Sequence, residues 1–218
     1  MLVCAFIDGM KAKKEKVEAL DLGAEEKIKQ AARSLFAKNG FAGTRTRDIA
    51  QEAGINLALL NYYFRSKEKL FELVMLEAMQ DFMRSMASIV NNQAMSLEEK
   101  LEQLVQNYFQ LFLVQPDLPL FVMNELKANP KRLESHLGIR KVIVGSHFFE
   151  QIKKRAPKKV NPFHFLMNTM ALTVFPFLAS PMLKIIGNMN ESEYLALLEE
   201  RKKKIPQWIL AQLLPAKS

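Results

Sequence analysis

Thr46-Arg47-Asp48-Ile49-Ala50-Gln51-Glu52-Ala53-Gly54-Ile55-Asn56-Leu57-Ala58-Leu59-Leu60-Asn61-Tyr62-Tyr63-Phe64 reads as two short helices joined by a tight turn. In the first, Ile49, Ala50 and Ala53 make an apolar stripe at i, i+1 and i+4, the spacing that buries one side of a short helix. Gly54 follows at once, where the helix must stop and the backbone is apt to need a positive φ. Asn56 then stands as the N-cap of a second helix, with a side-chain oxygen free to accept an orphan backbone N–H. Leu60 and Phe64, one turn apart, are placed to pack back on the first helix, and the small Ala50 lets the two approach closely. This is the spacing of a helix-turn-helix, a unit whose second helix lies in the major groove of DNA.

With Leu60 and Phe64 pointing inward, Leu57, Ala58, Asn61 and Tyr62 fall on the outer side of the second helix. Apolar side chains on a solvated face suit thymine methyl groups, and an Asn pairs with adenine. Arg45, Thr46 and Arg47 stand at the start of the first helix, where backbone N–H groups and the helix dipole already favour a phosphate. Lys67 and Lys69 follow the second helix. The other reading is a plain helical hairpin in a larger bundle, with Arg45, Arg47 and Lys67 as solvated charges. Alternation of core and basic positions along the whole stretch favours the groove-binding unit.

The pattern extends further. A helix, Lys27-Ile28-Lys29-Gln30-Ala31-Ala32-Arg33-Ser34-Leu35-Phe36-Ala37-Lys38-Asn39, runs into Gly40-Phe41. Arg47-Asp48-Ile49-Ala50, Ala53-Gly54-Ile55 and Tyr63-Phe64-Arg65-Ser66-Lys67-Glu68-Lys69-Leu70 follow. Residues 25–77 together resemble the N-terminal DNA-binding domain of the tetracycline-repressor (TetR) family. The resemblance implies that the second and third helices read double-stranded DNA. It further implies a fourth helix leading to a variable helical domain that binds a small effector and dimerises. By position, Arg47 corresponds to a DNA-contacting residue, and Leu57, Ala58, Asn61 and Tyr62 to groove-facing ones. Leu59, Tyr63 and Lys67 correspond to positions that touch the phosphate backbone. Two departures stand out: Arg45 occupies a place where a capping Ser or Thr is common, leaving the cap to Thr44 or Thr46, and Asn61 replaces a frequent Tyr. The implied function is a homodimeric regulator, a repressor released from a palindromic operator by a small apolar or amphipathic effector. The alternative is a DNA-binding activator, or a regulator controlled by a partner, without a small effector.

At 218 residues the chain is long enough for one large or two small domains. The expected architecture is all-α: an N-terminal extension over 1–23, a three-helix helix-turn-helix domain over 24–70, and a helical effector-binding and dimerisation domain over 71–218. The formal charge is +8, and residues 24–70 hold nine Lys or Arg against five Asp or Glu. A basic excess concentrated on the reading domain suits salt-sensitive attraction to phosphate. Cys4 is the single cysteine, so no internal disulfide forms, and a reducing cytoplasm is the natural compartment. Met10 with the lysines after it resembles a second start, which makes residues 1–9 dispensable by expectation. Residues 165–183 lack titratable side chains and match a bilayer in length, but Pro176, Pro181 and several polar residues favour a buried helix over a membrane span.

Beyond the reading unit the periodicity predicts a helix from Ser66 to about Asn91, another capped by Ser96 and ended by Pro116, and a short one over 118–128. Further helices are expected over 132–155, 161–175 and 191–214, with Pro176 and Pro206 breaking or kinking the last two. The family resemblance places Phe109, Phe112, Met123, His147, Phe148, Met167 and Met170 around an effector cavity, where Met and aromatic side chains suit apolar ligands. Glu125 is a polar candidate for orienting the ligand. Leu172, Leu198, Ile205 and Ile209 are the expected dimer contacts. His136 and His147 are eleven residues apart on one predicted helix, a span of about 16 Å, too far to share one ion. No catalytic constellation, metal site or cofactor signature is present in the sequence. The basic runs at 153–159 and 201–204 read as solvated helix ends.

Overall fold

The computed structural model describes residues 2–157 and 160–213, with side chains described from Gly23 onward. Every regular element among them is helical. The chain forms two compact units, residues 1–76 and 77–218.

The first unit contains α1 (Leu2–Gly43), α2 (Thr46–Glu52), α3 (Leu57–Phe64) and the beginning of α4 (Lys67–Asn91). α1 is kinked at Gly40, where φ is 68°. Its inward stripe, Ile28, Ala32 and Phe36, is buried, as are Ile49 and Ala50 of α2, Leu60 of α3, and Leu70 and Val74 of α4. Burying each of the larger side chains contributes about 1.5–3 kcal/mol. Phe36 meets Phe71 edge-on at 5.0 Å, and Phe41 lies 4.8 Å from Phe71. Because Leu70, Phe71, Val74 and Met75 belong to this core, the boundary between units falls after Leu76 rather than after residue 70.

The second unit contains the rest of α4, then α5 (Leu97–Val114), α6 (Leu118–Ala128), α7 (Pro130–Leu137), α8 (Ile139–Val144) and α9 (His147–Arg155). α10 (Phe163–Leu178), α11 (Ser180–Gly187), α12 (Glu191–Leu210) and a 3-10 turn (Ala211–Leu213) complete it. α5 is the central element, with Leu97, Leu101, Leu104, Val105, Tyr108, Phe109 and Phe112 buried at helical spacing. α9, α10 and α12 pack on it. A capping box between Ser96 and Glu99 starts α5, and a second between Asn190 and Glu193 starts α12. Such caps satisfy two orphan N–H groups reciprocally.

Three boundaries differ from the periodicity. The single helix expected over 132–155 is three, because Gly138 ends α7 at φ 58° and Ser146 caps α9 by accepting from the Phe149 N–H. α10 runs through Pro176 to Leu178. Proline cannot donate to the carbonyl four residues back. Here Arg201 Nε donates to that carbonyl, of Leu172, at 3.2 Å. α12 likewise keeps Pro206 in its interior and ends at Leu210; its expected terminus at Leu214 lies outside the described residues. Lys158 and Lys159, and the side chains of residues 1–9, also lie outside them. No single described helix is long and apolar enough to cross a membrane, and α10 with α11 is bent by 75°.

Candidate nucleic-acid interface

The turn between α2 and α3 is built from backbone hydrogen bonds. The Gly54 N–H donates to Gln51 O at 3.1 Å and the Ile55 N–H to Ala50 O at 2.9 Å, with Gly54 at φ 67°. These are the paired bonds of a Schellman ending, which needs a left-handed residue where Gly54 stands. Asn56 then caps α3, its Oδ1 accepting from the Leu59 N–H at 2.8 Å. Leu60 and Phe64 point into the core. On the opposite side Leu57 is 43% exposed and Tyr62 74% exposed, and Ala58 and Asn61 are exposed beside them. Leu59 and Tyr63 are half-buried at the edge of this face, the Tyr63 ring set edge-on to Tyr62 at 5.5 Å. α3 ends at Arg65, held at φ 53° with its N–H on Asn61 O. A left-handed residue there costs about 1–2 kcal/mol and sets the sharp exit into α4.

Arg45 is the N-cap residue of α2, and its side chain makes no capping bond. Thr44 does not cap α2. It is buried, with its hydroxyl 2.8 Å from Gly40 O and 3.1 Å from Leu35 O, and so closes the end of α1. The first turn of α2, containing Thr46 and Arg47, is therefore left open toward an incoming anion. Arg45 and Arg47 are exposed there, and among the described residues neither is engaged in an ion pair. Lys67 is placed differently from the other cations. Its Nζ donates to Phe41 O at 2.9 Å and Thr44 O at 3.0 Å, and lies 4.1 Å above the Phe41 ring. It joins the end of α1 to the start of α4, a role for which the sequence offered no signal across 26 residues.

The residues predicted for an effector cavity are not brought together. Phe109 and Phe112 are buried core residues flanking Phe177 at 5.1 and 5.2 Å. Phe148 is buried against Phe165. Met123, Met167 and Met170 are exposed, and Glu125 is half-buried on α6. The inward stripe of α10 is Phe165, Thr169, Thr173 and Pro176, which turns both of its methionines outward. None of these residues, nor His147, lines the cavity of about 310 Å³ that Phe175, Pro176, Leu183, Ile186, Tyr194 and Arg201 help to form.

The residues expected at a dimer contact lie as follows. Leu198, Ile205 and Ile209 are buried within their own chain, on the face α12 turns toward α5 and α10, and Leu172 is half-buried. Other apolar side chains are left open on α10, α11 and α12. They include Phe175, Met182, Ile185 at 80% exposure, Ile186 at 73%, Leu197 and Trp208 at 44%. Arg201 lies 5.4 Å over the Trp208 ring. Three cations of the basic runs are paired: Arg155 with Glu98 at 2.5 Å, Lys153 with Glu150 at 2.8 Å and Lys202 with Glu199 at 2.6 Å.

Residues 28–74 match the family model described as bacterial regulatory proteins, tetR family. The DNA-binding unit is therefore of the TetR type. The chain is 26% identical over 166 residues to the "Probable HTH-type transcriptional regulator YttP" of Bacillus subtilis, a match spanning 73% of the chain and 79% of the relative. It is also 26% identical to the fatty acid metabolism regulator protein of Bacillus subtilis, over 54% of the chain and 59% of that protein. Among solved structures it resembles a TetR-family regulator from Mesorhizobium loti, with TM-score 0.60 and 20% identity over 88% of this chain and 96% of that one. The Bacillus subtilis regulator FadR, crystallised with stearoyl-CoA, superposes at TM-score 0.55 and 18% identity over 83% of this chain and 96% of that one. These last two likenesses concern the fold. The chain is thus a DNA-binding helix-turn-helix transcriptional regulator of all-α architecture.

Proposed function

We propose that this regulator acts as a homodimeric repressor that holds a palindromic operator until a small amphipathic effector releases it. The observation that carries the DNA half of this reading is the outer face of α3. Leu57, Ala58, Asn61 and Tyr62 are exposed together on a helix whose other side is locked into the core. Arg45 and Arg47 at the open end of α2 supply the phosphate contacts that fix register, and the α3 side chains read base edges. Two copies related by a two-fold axis present their reading helices to major grooves about 34–36 Å apart. The exposed apolar side chains of α10, α11 and α12 support that pairing, since large exposed apolar area marks an interaction face.

The effector class is inferred from relatives whose names concern fatty acids, one of them holding stearoyl-CoA. α4 belongs to both units and is the covalent route by which ligand binding would shift the reading heads. Release requires that ligand prefer the conformation that binds DNA poorly. The test is selection of bound fragments from random DNA, followed by titration of the complex with salt and then with stearoyl-CoA. A palindromic fragment, affinity falling steeply with salt, and release by the acyl-CoA are the expected results. Fragments without two-fold symmetry would overturn the dimer reading, and an operator complex indifferent to stearoyl-CoA would overturn the acyl effector.

A further inference from the structure

α10, α11 and α12 enclose a cavity of about 310 Å³ within the second unit. That volume lies at the lower end of small-molecule sites, about 300–1,000 Å³. Phe175, Pro176, Leu183, Ile186 and Leu197 give it an apolar wall, and its polar side chains are Tyr194 and Arg201. The Tyr194 hydroxyl is already spent, donating to Pro176 O at 2.6 Å. Arg201 is then the group that decides what the cavity accepts. We propose that the cavity binds an amphipathic monocarboxylate of about ten carbons, its carboxylate on the Arg201 guanidinium and its chain against Phe175, Leu183 and Ile186.

The guanidinium is held in place but left without a counter-ion. Its Nε donates to the Leu172 carbonyl at 3.2 Å, an acceptor that Pro176 has no N–H to serve. Its plane lies 5.4 Å over the Trp208 ring. Among the described residues its hydrogen bonding stops at Leu172, so the Nη hydrogens have no acceptor. The carboxylates nearby on α12 are engaged elsewhere or point to water: Glu191 pairs with Lys184 at 2.7 Å, Glu199 with Lys202 at 2.6 Å, and Glu193 closes the Asn190 capping box. Glu200 is exposed. A guanidinium whose Nε is occupied still presents a planar edge of parallel donors, and a carboxylate matches that edge in two places.

The charge count limits the ligand to a single negative charge. Lys184, the other cation at this end of α12, is neutralised by Glu191. A phosphate ester or the nucleotide of an acyl-CoA would bring charges that nothing in the wall compensates. The site thus goes beyond the acyl-CoA reading and does not depend on it. Phe175, Ile186 and Leu197 are also among the exposed apolar side chains on which the dimer reading rests. A second copy that covered the mouth with apolar side chains would bury the guanidinium unpaired, which is costly. A bound carboxylate removes that cost.

Calorimetric titration of the full chain with decanoate, decanol and decyltrimethylammonium tests the site in the wild type, Arg201→Gln and Leu183→Trp. The wild type is expected to bind one decanoate per chain about tenfold more tightly than decanol, and the ammonium not measurably. Arg201→Gln removes the charge and keeps a donor. It should weaken decanoate about tenfold and leave decanol within about twofold of the wild type. Leu183→Trp fills the cavity and should abolish binding of both.

Equal wild-type affinity for decanoate and decanol would overturn the proposal, as would decanoate affinity unchanged in both variants. Absence of saturable decanoate binding would overturn it too, and would leave the cavity to a second copy. If Arg201→Gln does not fold, Leu183→Trp and the wild-type comparison of decanoate with decanol decide. None of these outcomes involves an operator or stearoyl-CoA, so the failure of this site and the failure of the repressor reading are told apart.

Discussion

Arg47 and Asn61 sit on the same exposed surface and differ in what each is able to sense. Arg47 carries a charge at the open first turn of α2. Arg47→Ala is expected to weaken binding to all DNA and to lower the slope of log affinity against log salt by about one phosphate's worth. Unchanged affinity and slope would remove Arg47 from the interface. Asn61 has an amide that pairs in two places with adenine, so Asn61→Ala should cost about 1–3 kcal/mol on the preferred site and relax preference at one position. Equal weakening on every site would show that Asn61 reads no base. Lys67 is a contrasting case. Lys67→Met removes the ammonium donor shared by the Phe41 and Thr44 carbonyls, an expected loss of about 1.5–3 kcal/mol in thermal stability, with the salt slope of DNA binding unchanged well below the melting transition. A fall in slope by one phosphate would instead place its ammonium on the DNA backbone. The groove-facing side chains were legible in the sequence because helical spacing alone assigns them to a face. The Lys67 and Thr44 roles were not, because each depends on carbonyls brought near only by the fold.

At the scale of elements, strong signals marked their own ends. Asn56, Ser66 and Ser96 stand directly before regular apolar spacing, and α3, α4 and α5 start where they predict. The stretch 132–155 misled because its apolar periodicity continues across Gly138, and a glycine within a helical pattern is tolerated at only about 1 kcal/mol. The same position now makes a prediction: at φ 58°, Gly138→Ala forces a side chain into the left-handed region and should lower stability by about 1 kcal/mol in denaturant unfolding. An unchanged midpoint would mean that the break between α7 and α8 comes from elsewhere. Pro176 misled for another reason. Its effect on α10 depends on Arg201, 25 residues away, accepting responsibility for the Leu172 carbonyl. The outward placement of Met167 and Met170 was not legible, because Met and Phe at helical spacing do not reveal which stripe of α10 faces inward.

For the molecule as a whole, the exposed apolar side chains of α11 and α12 carry the dimer reading. Ile185 and Ile186 are the most exposed of them, so substituting both with Glu leaves the core untouched. The double variant is expected to keep its far-ultraviolet circular dichroism, sediment as a monomer and lose affinity for the palindrome. A variant that remains dimeric would move the interface to another face. Trp208 of α12 is another of these side chains, half-exposed under Arg201, and it is the chain's single tryptophan. Its indole emission therefore reports one place only: covering by a second copy would shift the spectrum to the blue without any attached dye. Dilution of the unlabelled protein would then trace the association constant directly, before any operator is known.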